Sequence, residues 1–253
     1  MIDYTLVVPS RRRVHNMPVI KALLPTAQIC IDEREFDDYA AVMPASRLLV
    51  HPPMDGLPRV WNWIVKTVKT PAIIEVDDDF VGVRSLVGSK RFITDPEQIL
   101  QILENSLQCI SDLGITTFTF NRSQNIAMTH PEVKPIRPVG PIAGAFGVLG
   151  AARERLWDEQ VGARAGVDFT LQCLLDDRVM FNDMRYYFDF GEVYGGRGGN
   201  VGIFGIEEWT ANCNRLKEKW GRHISFDAPG WVKNRQVAAM SVRVARRNKR
   251  GQR

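Results

Sequence analysis

Residues 71–80 read PAIIEVDDDF: a proline, a mostly apolar run and then three consecutive aspartates, Asp77, Asp78 and Asp79. A short β-branched run bounded by proline has the signature of a buried strand. Side chains alternate along a strand, so the pattern predicts Asp77 and Asp79 on one side and Asp78 on the other. Two carboxylates converging at a strand end offer hard oxygen ligands to a divalent cation. The same three acids also fit an acidic turn capping the next helix.

Outward from this stretch, strands are expected in TLVVPS (5–10), AQICID (27–32), RLLVHPP (47–53) and ITTFTF (115–120). Helices are expected in MPVIKALLP (17–25), in LPRVWNWIVKTV (57–68) and from Thr94 to Gly114, where T-D-P-E supplies a cap and an early acid. Alternation of this kind predicts an α/β fold with a Rossmann-type, mostly parallel central sheet covered on both faces. Ligands of such sheets bind beyond the carboxyl ends of the strands. That puts Ser10 to Arg13, Asp32, Glu33, His51 and Asp77 to Asp79 along one rim.

The second half is less regular. It holds a Pro/Gly-rich connection (137–153), a helix DFTLQCLLDDR (168–178), an aromatic strand MRYYFDF (184–190), a glycine-rich loop (191–202) and an amphipathic helix IEEWTANCNRLKEKW (206–220). The expectation is a single domain over residues 1–240, with a nucleotide-binding half (1–120) and an irregular acceptor and lid half (121–240), followed by a basic tail (241–253).

With 253 residues, 45% of them hydrophobic and 25% charged, the chain can bury a core without metal or disulfide staples, which excludes collagen-like, coiled-coil and wholly disordered readings. The longest weakly polar stretch, residues 138–152, is broken by prolines and glycines and is shorter than the ~20 residues of a membrane span. The apolar run at the N-terminus is too short for a signal peptide, and its arginines follow that run. Cys30, Cys109, Cys173 and Cys213 lie far apart, in no zinc or redox spacing, as free thiols in a reducing compartment do. The expectation is a soluble cytoplasmic protein with no membrane partner.

The net charge of +4 is unevenly spread. Beyond Asp227, the last acid, come eight positive charges, so the first 227 residues carry −4. A tail bearing Arg243, Arg246 and Arg247 reads either as a solvated end or as an arm for a polyanion.

Other candidates carry two readings each. Arg11 to Arg13 follow the first strand, where a guanidinium can fork onto phosphate oxygens or simply be solvated. The loop lacks glycine, which argues against a P-loop and a dinucleotide fingerprint. Gly195 to Asn200, GGRGGN, fits a lid over a diphosphate, with Arg197, Gly198 and Gly199 at its centre, or a wide hairpin turn. Asp168 fits a helix N-cap or a general base at a cleft mouth. His223 fits an ordinary histidine, or a third metal ligand if the chain folds back to Asp79.

A strand-end DxD in a chain of this size resembles a GT-A glycosyltransferase. The segments VPSRRRVHNM, LLPTAQICIDERE, RLLVHPPMDGLPRVWNWIV, IIEVDDDF, AFGVLGAAR, VDFTLQCLLDDRV and GRGGNVG, in that order, resemble the TET-associated glycosyltransferases of tailed phages. That family glycosylates 5-hydroxymethylcytosine in phage DNA. The resemblance implies a UDP-sugar donor and a Mn2+ or Mg2+ ion held by Asp77 and Asp79, with Asp78 beside the nucleotide. It places Pro9, Ser10 and Arg11 on the uridine side near Asp32 and Glu33. It also implies a donor lid at Arg197 to Gly199, Asp168 as acceptor base, His223 as a further metal ligand, and Arg243, Arg246 and Arg247 against DNA containing the modified base. Two rival expectations stand beside it: a GT-A transferase with a glycan, lipid-linked or protein acceptor, and a non-catalytic DNA-binding phage protein whose acidic cluster is a cap.

Overall fold

The structure is a computed structural model that describes residues 2–87, 91–122, 134–142, 144–191, 206–232 and 235–242. In the main sheet β1 (Tyr4–Pro9) pairs in parallel on one side with β2 (Gln28–Asp32) and on the other with β4 (Ala72–Val76). β3 (Leu48–His51) extends the sheet beyond β2, also in parallel. The chain therefore runs outward from β1 to β3 and then crosses back to lay β4 against the far side of β1. The gap between the carboxyl ends of β1 and β4 is the topological switch point, where open α/β sheets bind their ligands.

Past β4 the sheet continues through β9 (Ala145–Leu149), β7 (Thr117–Asn121), β10 (Phe181–Asp189), β5 (Gly82–Ser85) and β6 (Phe92–Ile93), with β8 (Ile136–Arg137) on β10. β9 is antiparallel to both of its neighbours, and β7 and β10 are parallel to each other. β10 is antiparallel to β5 and to β8. The expected parallel sheet forms in the β3-β2-β1-β4 part, and beyond β4 the pairings are antiparallel except for β7 with β10. The expected irregular connection over 137–153 is corrected: its segment AFGVL is β9, inserted between β4 and β7. Gly147 explains why a glycine-bearing strand fits there, since a Cβ at that position would overlap the Phe118 ring.

Strand alternation sorts the core into two layers. Leu6 and Val8 of β1 and Ile74 of β4 face α1 (Met17–Leu23) and α4 (Pro96–Asp112), whose Ile20, Ile99, Leu103 and Leu107 cover them. Val7 and Ile73 face the opposite way, onto Trp61 and Ile64 of α3 (Leu57–Thr67) and Phe169 and Leu174 of α6 (Ala165–Asp177). Burial of both faces is what lets β4 read as an almost unbroken apolar run. Asp95 caps α4 by accepting from Glu97 N at 3.1 Å, with Pro96 in the first turn, as the T-D-P-E signal predicts.

α2 (Phe36–Ala40) follows β2, and the short α5 (Ala151–Glu154) follows β9. α7 (Ile206–Trp220) leads through a 3-10 turn, Gly221–His223, into an antiparallel pair, β11 (Ile224–Val232) and β12 (Arg235–Val242), which forms a separate two-stranded sheet. No described helix is long and apolar enough to cross a membrane. All four cysteines are free thiols.

Candidate functional site

β4 ends at Val76, so the three aspartates lie in the turn beyond it and do not obey strand alternation. This corrects the expectation that Asp78 points away from its neighbours. Asp78 is buried against β1 instead: its Oδ2 accepts from Ser10 Oγ at 2.6 Å and its Oδ1 from Arg13 Nη1 at 2.6 Å. Asn16 Nδ2 donates to the Asp78 carbonyl at 3.1 Å. With the Ser10 hydrogen committed to Asp78, the 2.7 Å contact between Tyr39 and Ser10 uses the phenol hydrogen, and Tyr39 in turn accepts from Arg13 N at 3.1 Å. The switch point is thus stitched across its two strands by charge-assisted bonds.

Arg13 Nη1 also reaches Asp79 Oδ2 at 3.0 Å, so one guanidinium spans two of the three aspartates. Burial alone would lower Arg13, but the Asp78 and Asp79 carboxylates outweigh it and hold it above its ordinary value. Arg12, at φ 56°, turns the chain through the left-handed region, and its N–H donates to Glu35 Oε2 at 2.7 Å. That turn sends the flanking arginines to different partners, because Arg11 ion-pairs with Asp55 at 2.6 Å while Arg13 enters the acidic run.

Asp77 takes a third direction. Its N–H donates to the Gly144 carbonyl at 2.7 Å, and a Cβ at Gly144 would overlap Asp77 Oδ2 and the Phe190 ring. Burial, then the Asp79 and Asp78 charges, push Asp77 up to about 7. Asp79 is raised by burial too, against the opposing pull of Arg13. Glu75, wholly inside β4, is raised well above a normal carboxyl, by burial first and by Asp77 next, and its Oε1 has no hydrogen-bond partner. Among the described residues no three His, Cys, Asp or Glu side chains close around one point. Asp77, which shares a side-chain hydrogen bond with Glu75, and Asp79, which Arg13 engages, are the two carboxylates of the run that could offer oxygens to a cation, with phosphate and water supplying its other ligands. Magnesium-like ions bind in that way, through one or two carboxylates plus substrate phosphates.

Of the other rim residues, Pro9 ends β1, and Asp32 ends β2 with its carboxylate already engaged. Arg34 donates to Asp32 through Nε at 2.8 Å and Nη2 at 2.5 Å, and the backbone N–H of Arg34 completes the cap at 2.9 Å. The side-chain bonds from Arg34 hold Asp32 well below the usual carboxylate range. Glu33 beside it is exposed. His51 ends β3 and is buried, with Nδ1 donating to the Pro52 carbonyl at 2.7 Å.

Asp168 lies in the first turn of α6 but is not its N-cap; that position is Arg164, which makes no capping bond. Asp168 is 0% exposed. Its Oδ1 accepts from Trp220 Nε1 at 2.7 Å and ion-pairs with Lys219 at 2.8 Å, while Oδ2 accepts from Gln172 at 2.8 Å. Its environment is a junction between α6 and the end of α7 rather than the mouth of a cleft. His223, in the turn after α7, does not complete a three-ligand set with Asp77 and Asp79. Arg197, Gly198, Gly199, Arg243, Arg246 and Arg247 lie outside the described residues.

Tyr39, Asn16, Glu75, Gly144 and Phe190 belong to the site without having been singled out in the sequence. Glu75 carried a signal, as the one charge inside an otherwise apolar strand. The others carried none, since each reaches the site from a separate element.

No family model matches the chain, and no curated protein does. Among solved structures it is similar to a mannosyltransferase from Pyrobaculum calidifontis in complex with GDP-mannose and Mn2+. The TM-score is 0.51 at 12% identity, over 77% of this chain and 57% of that one. The fold is GT-A-like. A mycobacterial protein is similar over 95% of this chain and 84% of its own, with a TM-score of 0.51 at 9% identity. At these identities the likeness is one of fold. The present chain spans little more than half the length of the Pyrobaculum enzyme.

Proposed function

We propose that this chain is a metal-assisted glycosyltransferase that moves a sugar from a UDP-sugar to the hydroxyl of 5-hydroxymethylcytosine in DNA. One observation carries the transferase reading: the Asp77–Asp79 run sits at the switch point between β1 and β4, beside Ser10 and Arg13. The GT-A-like sheet supports it, as does the Mn2+ and GDP-mannose complex of the Pyrobaculum enzyme. The ordered motifs that resemble the TET-associated family supply the uridine donor and the DNA acceptor.

In this reading Asp77 and Asp79 hold the cation, which when bound neutralises the departing diphosphate. Asp78 is an anchor: it fixes Ser10 and Arg13, and so the β1 end of the cleft. Pro9, Ser10 and Arg11 line the nucleoside side, and Asp32 sets the backbone there through its Arg34 cap. Arg197 to Gly199 form the donor lid. Asp168 anchors α7 to α6 through Trp220 and Lys219. Arg243, Arg246 and Arg247 track the DNA backbone. A base inside duplex DNA must leave the stack to reach such a cleft, so the acceptor is a flipped or single-stranded nucleotide.

The test pairs hydroxymethylcytosine DNA, with unmodified DNA alongside, with a panel of UDP-sugars and Mn2+, and weighs the digested nucleosides by mass spectrometry. A hexose-sized gain, absent with Asp77→Ala/Asp79→Ala, is the expected result. Donor hydrolysis to UDP without transfer would move the acceptor to a glycan, lipid-linked or protein hydroxyl. Neither transfer nor hydrolysis by folded protein would overturn the transferase reading and favour a DNA-binding protein.

A further inference from the structure

Arg13 enters the acidic run as a cation in its own right. Its Nη1 lies 2.6 Å from Asp78 Oδ1 and 3.0 Å from Asp79 Oδ2, with the Arg13 side chain 14% exposed and that of Asp79 31% exposed. Asp78 is tied down by Ser10 Oγ and by Asn16, so the Arg13–Asp78 bond is the fixed half of the bridge. The Asp79 bond is longer and more exposed, and it is the half able to open. A divalent ion taking Asp79 as ligand meets a like charge already bonded to the same carboxylate, and the two repel.

We propose that Arg13 is an internal counterion that competes with the divalent cation for Asp79. It yields that carboxylate when a diphosphate arrives to receive its guanidinium. The inference rests on the reading that the acidic run takes a metal–nucleotide pair, and it adds an order to that binding. Without nucleotide the cation binds weakly, because Arg13 holds Asp79. With a nucleoside diphosphate the guanidinium swings on its Asp78 anchor toward phosphate oxygens, which it bonds in forked geometry. Metal and nucleotide then favour each other's binding, and the coupling is reciprocal.

The counterion role makes a prediction opposite in sign to that of a purely structural arginine. Mn2+ binding to the full chain is measured by electron paramagnetic resonance and calorimetry, with and without UDP, for wild type, Arg13→Gln and Arg13→Lys. UDP binding is measured in chelator as well. Arg13→Gln should bind Mn2+ alone about tenfold more tightly than wild type, the scale of an allosteric coupling. It should also bind UDP alone more weakly and show a smaller UDP-dependent gain in Mn2+ affinity. Arg13→Lys keeps the charge as a compact, strongly hydrated ammonium, which holds the carboxylates less tightly and cannot bond phosphate in forked geometry. It should shift Mn2+ affinity in the same direction by a smaller factor, so the test stands even if the glutamine variant fails to fold. Mn2+ affinity unchanged or weakened in the folded variants, with wild-type coupling to UDP, would overturn the counterion role and leave the metal–nucleotide reading intact. Failure of folded wild type to bind either Mn2+ or UDP would overturn both.

Discussion

Asp77 and Gly144 are packed so closely that a Cβ on the glycine would overlap the aspartate Oδ2, while the Asp77 N–H bonds to the Gly144 carbonyl at 2.7 Å. The glycine precedes β9 and the aspartate follows β4, so the antiparallel pairing of these two strands delivers backbone and carboxylate to the same point. The missing side chain leaves room for the carboxylate beside the Phe190 ring. A small residue at position 144 is therefore a condition for where Asp77 points.

Gly144→Ala tests this directly. Both overlapped groups are the ends of side chains, so the fold can absorb the methyl by moving the carboxylate. The expected outcome is a thermal midpoint lowered by the equivalent of about 1 kcal/mol, together with Mn2+ or Mn2+–UDP affinity reduced at least tenfold. Calorimetry on the folded variant checks it. Unchanged affinity would separate Asp77 from metal binding.

Asp168 supports a prediction about stability. Its two oxygens hold Trp220, Lys219 and Gln172 with no surface left exposed. Asp168→Ala would leave the indole N–H of Trp220 without its acceptor and Lys219 with Asp158 alone, at 2.7 Å. Breaking such a buried set costs about 2–3 kcal/mol, discounted here because Lys219 is partly exposed. Urea unfolding should show that loss. Asp168→Asn, which can still accept from the indole, should recover part of it. A variant with wild-type stability that is inert only in sugar transfer would restore the general-base reading.

The metal-free protein should show a pH dependence set by the same acidic run. Burial, with the Asp79 and Asp78 charges, raises Asp77 to about 7. A carboxyl raised on folding contributes stability that is complete below its unfolded value near 4. That contribution is lost as pH rises through about 7. In chelator, the thermal midpoint of wild type should therefore fall from pH 5 to pH 8. Asp77→Asn should flatten that slope by the equivalent of about 1–2 kcal/mol, allowing for solvent screening at a partly exposed group. Glu75 and Asp79 shift in the same direction, so a residual slope remains in the variant. An identical slope in wild type and variant would place the titrating carboxyl elsewhere.

The strands that carry the rim were legible because each is a short apolar run that closes on a proline or an aspartate: Pro9, Asp32, Pro52 and Asp77. Their parallel pairing follows from the helical crossovers between them, whereas their order and the switch point emerge only in the folded sheet. β9 was not legible, because its core position depends on Gly147 fitting under Phe118, a contact between strands that adjoin only in the folded sheet. The direction of Asp78 was misread because alternation holds only while the strand continues, and β4 stops at Val76. Arg13 was visible as a cation. Nothing along the chain set it apart from Arg11 until the left-handed turn at Arg12 sent the two side chains to different acids.

The basic C-terminal end offers the last prediction, and it bears on the acceptor alone. Residues 243–253 follow β12 and hold six arginines and lysines with no acid. Each phosphate contact releases condensed counterions, so log affinity falls with log salt by about 0.9 per contact on duplex DNA and about 0.7 on a single strand. A chain ending at Val242 keeps all of β12 and the acidic run, so its Mn2+ and UDP affinities should match wild type. Its binding to hydroxymethylcytosine DNA should weaken at low salt, and its salt slope should shrink by about 2–3 if Arg243, Arg246 and Arg247 each meet a phosphate. Fluorescence anisotropy across a salt series measures both quantities. An unchanged slope would remove this segment from the acceptor site and leave the transferase reading to stand on the cleft between β1 and β4.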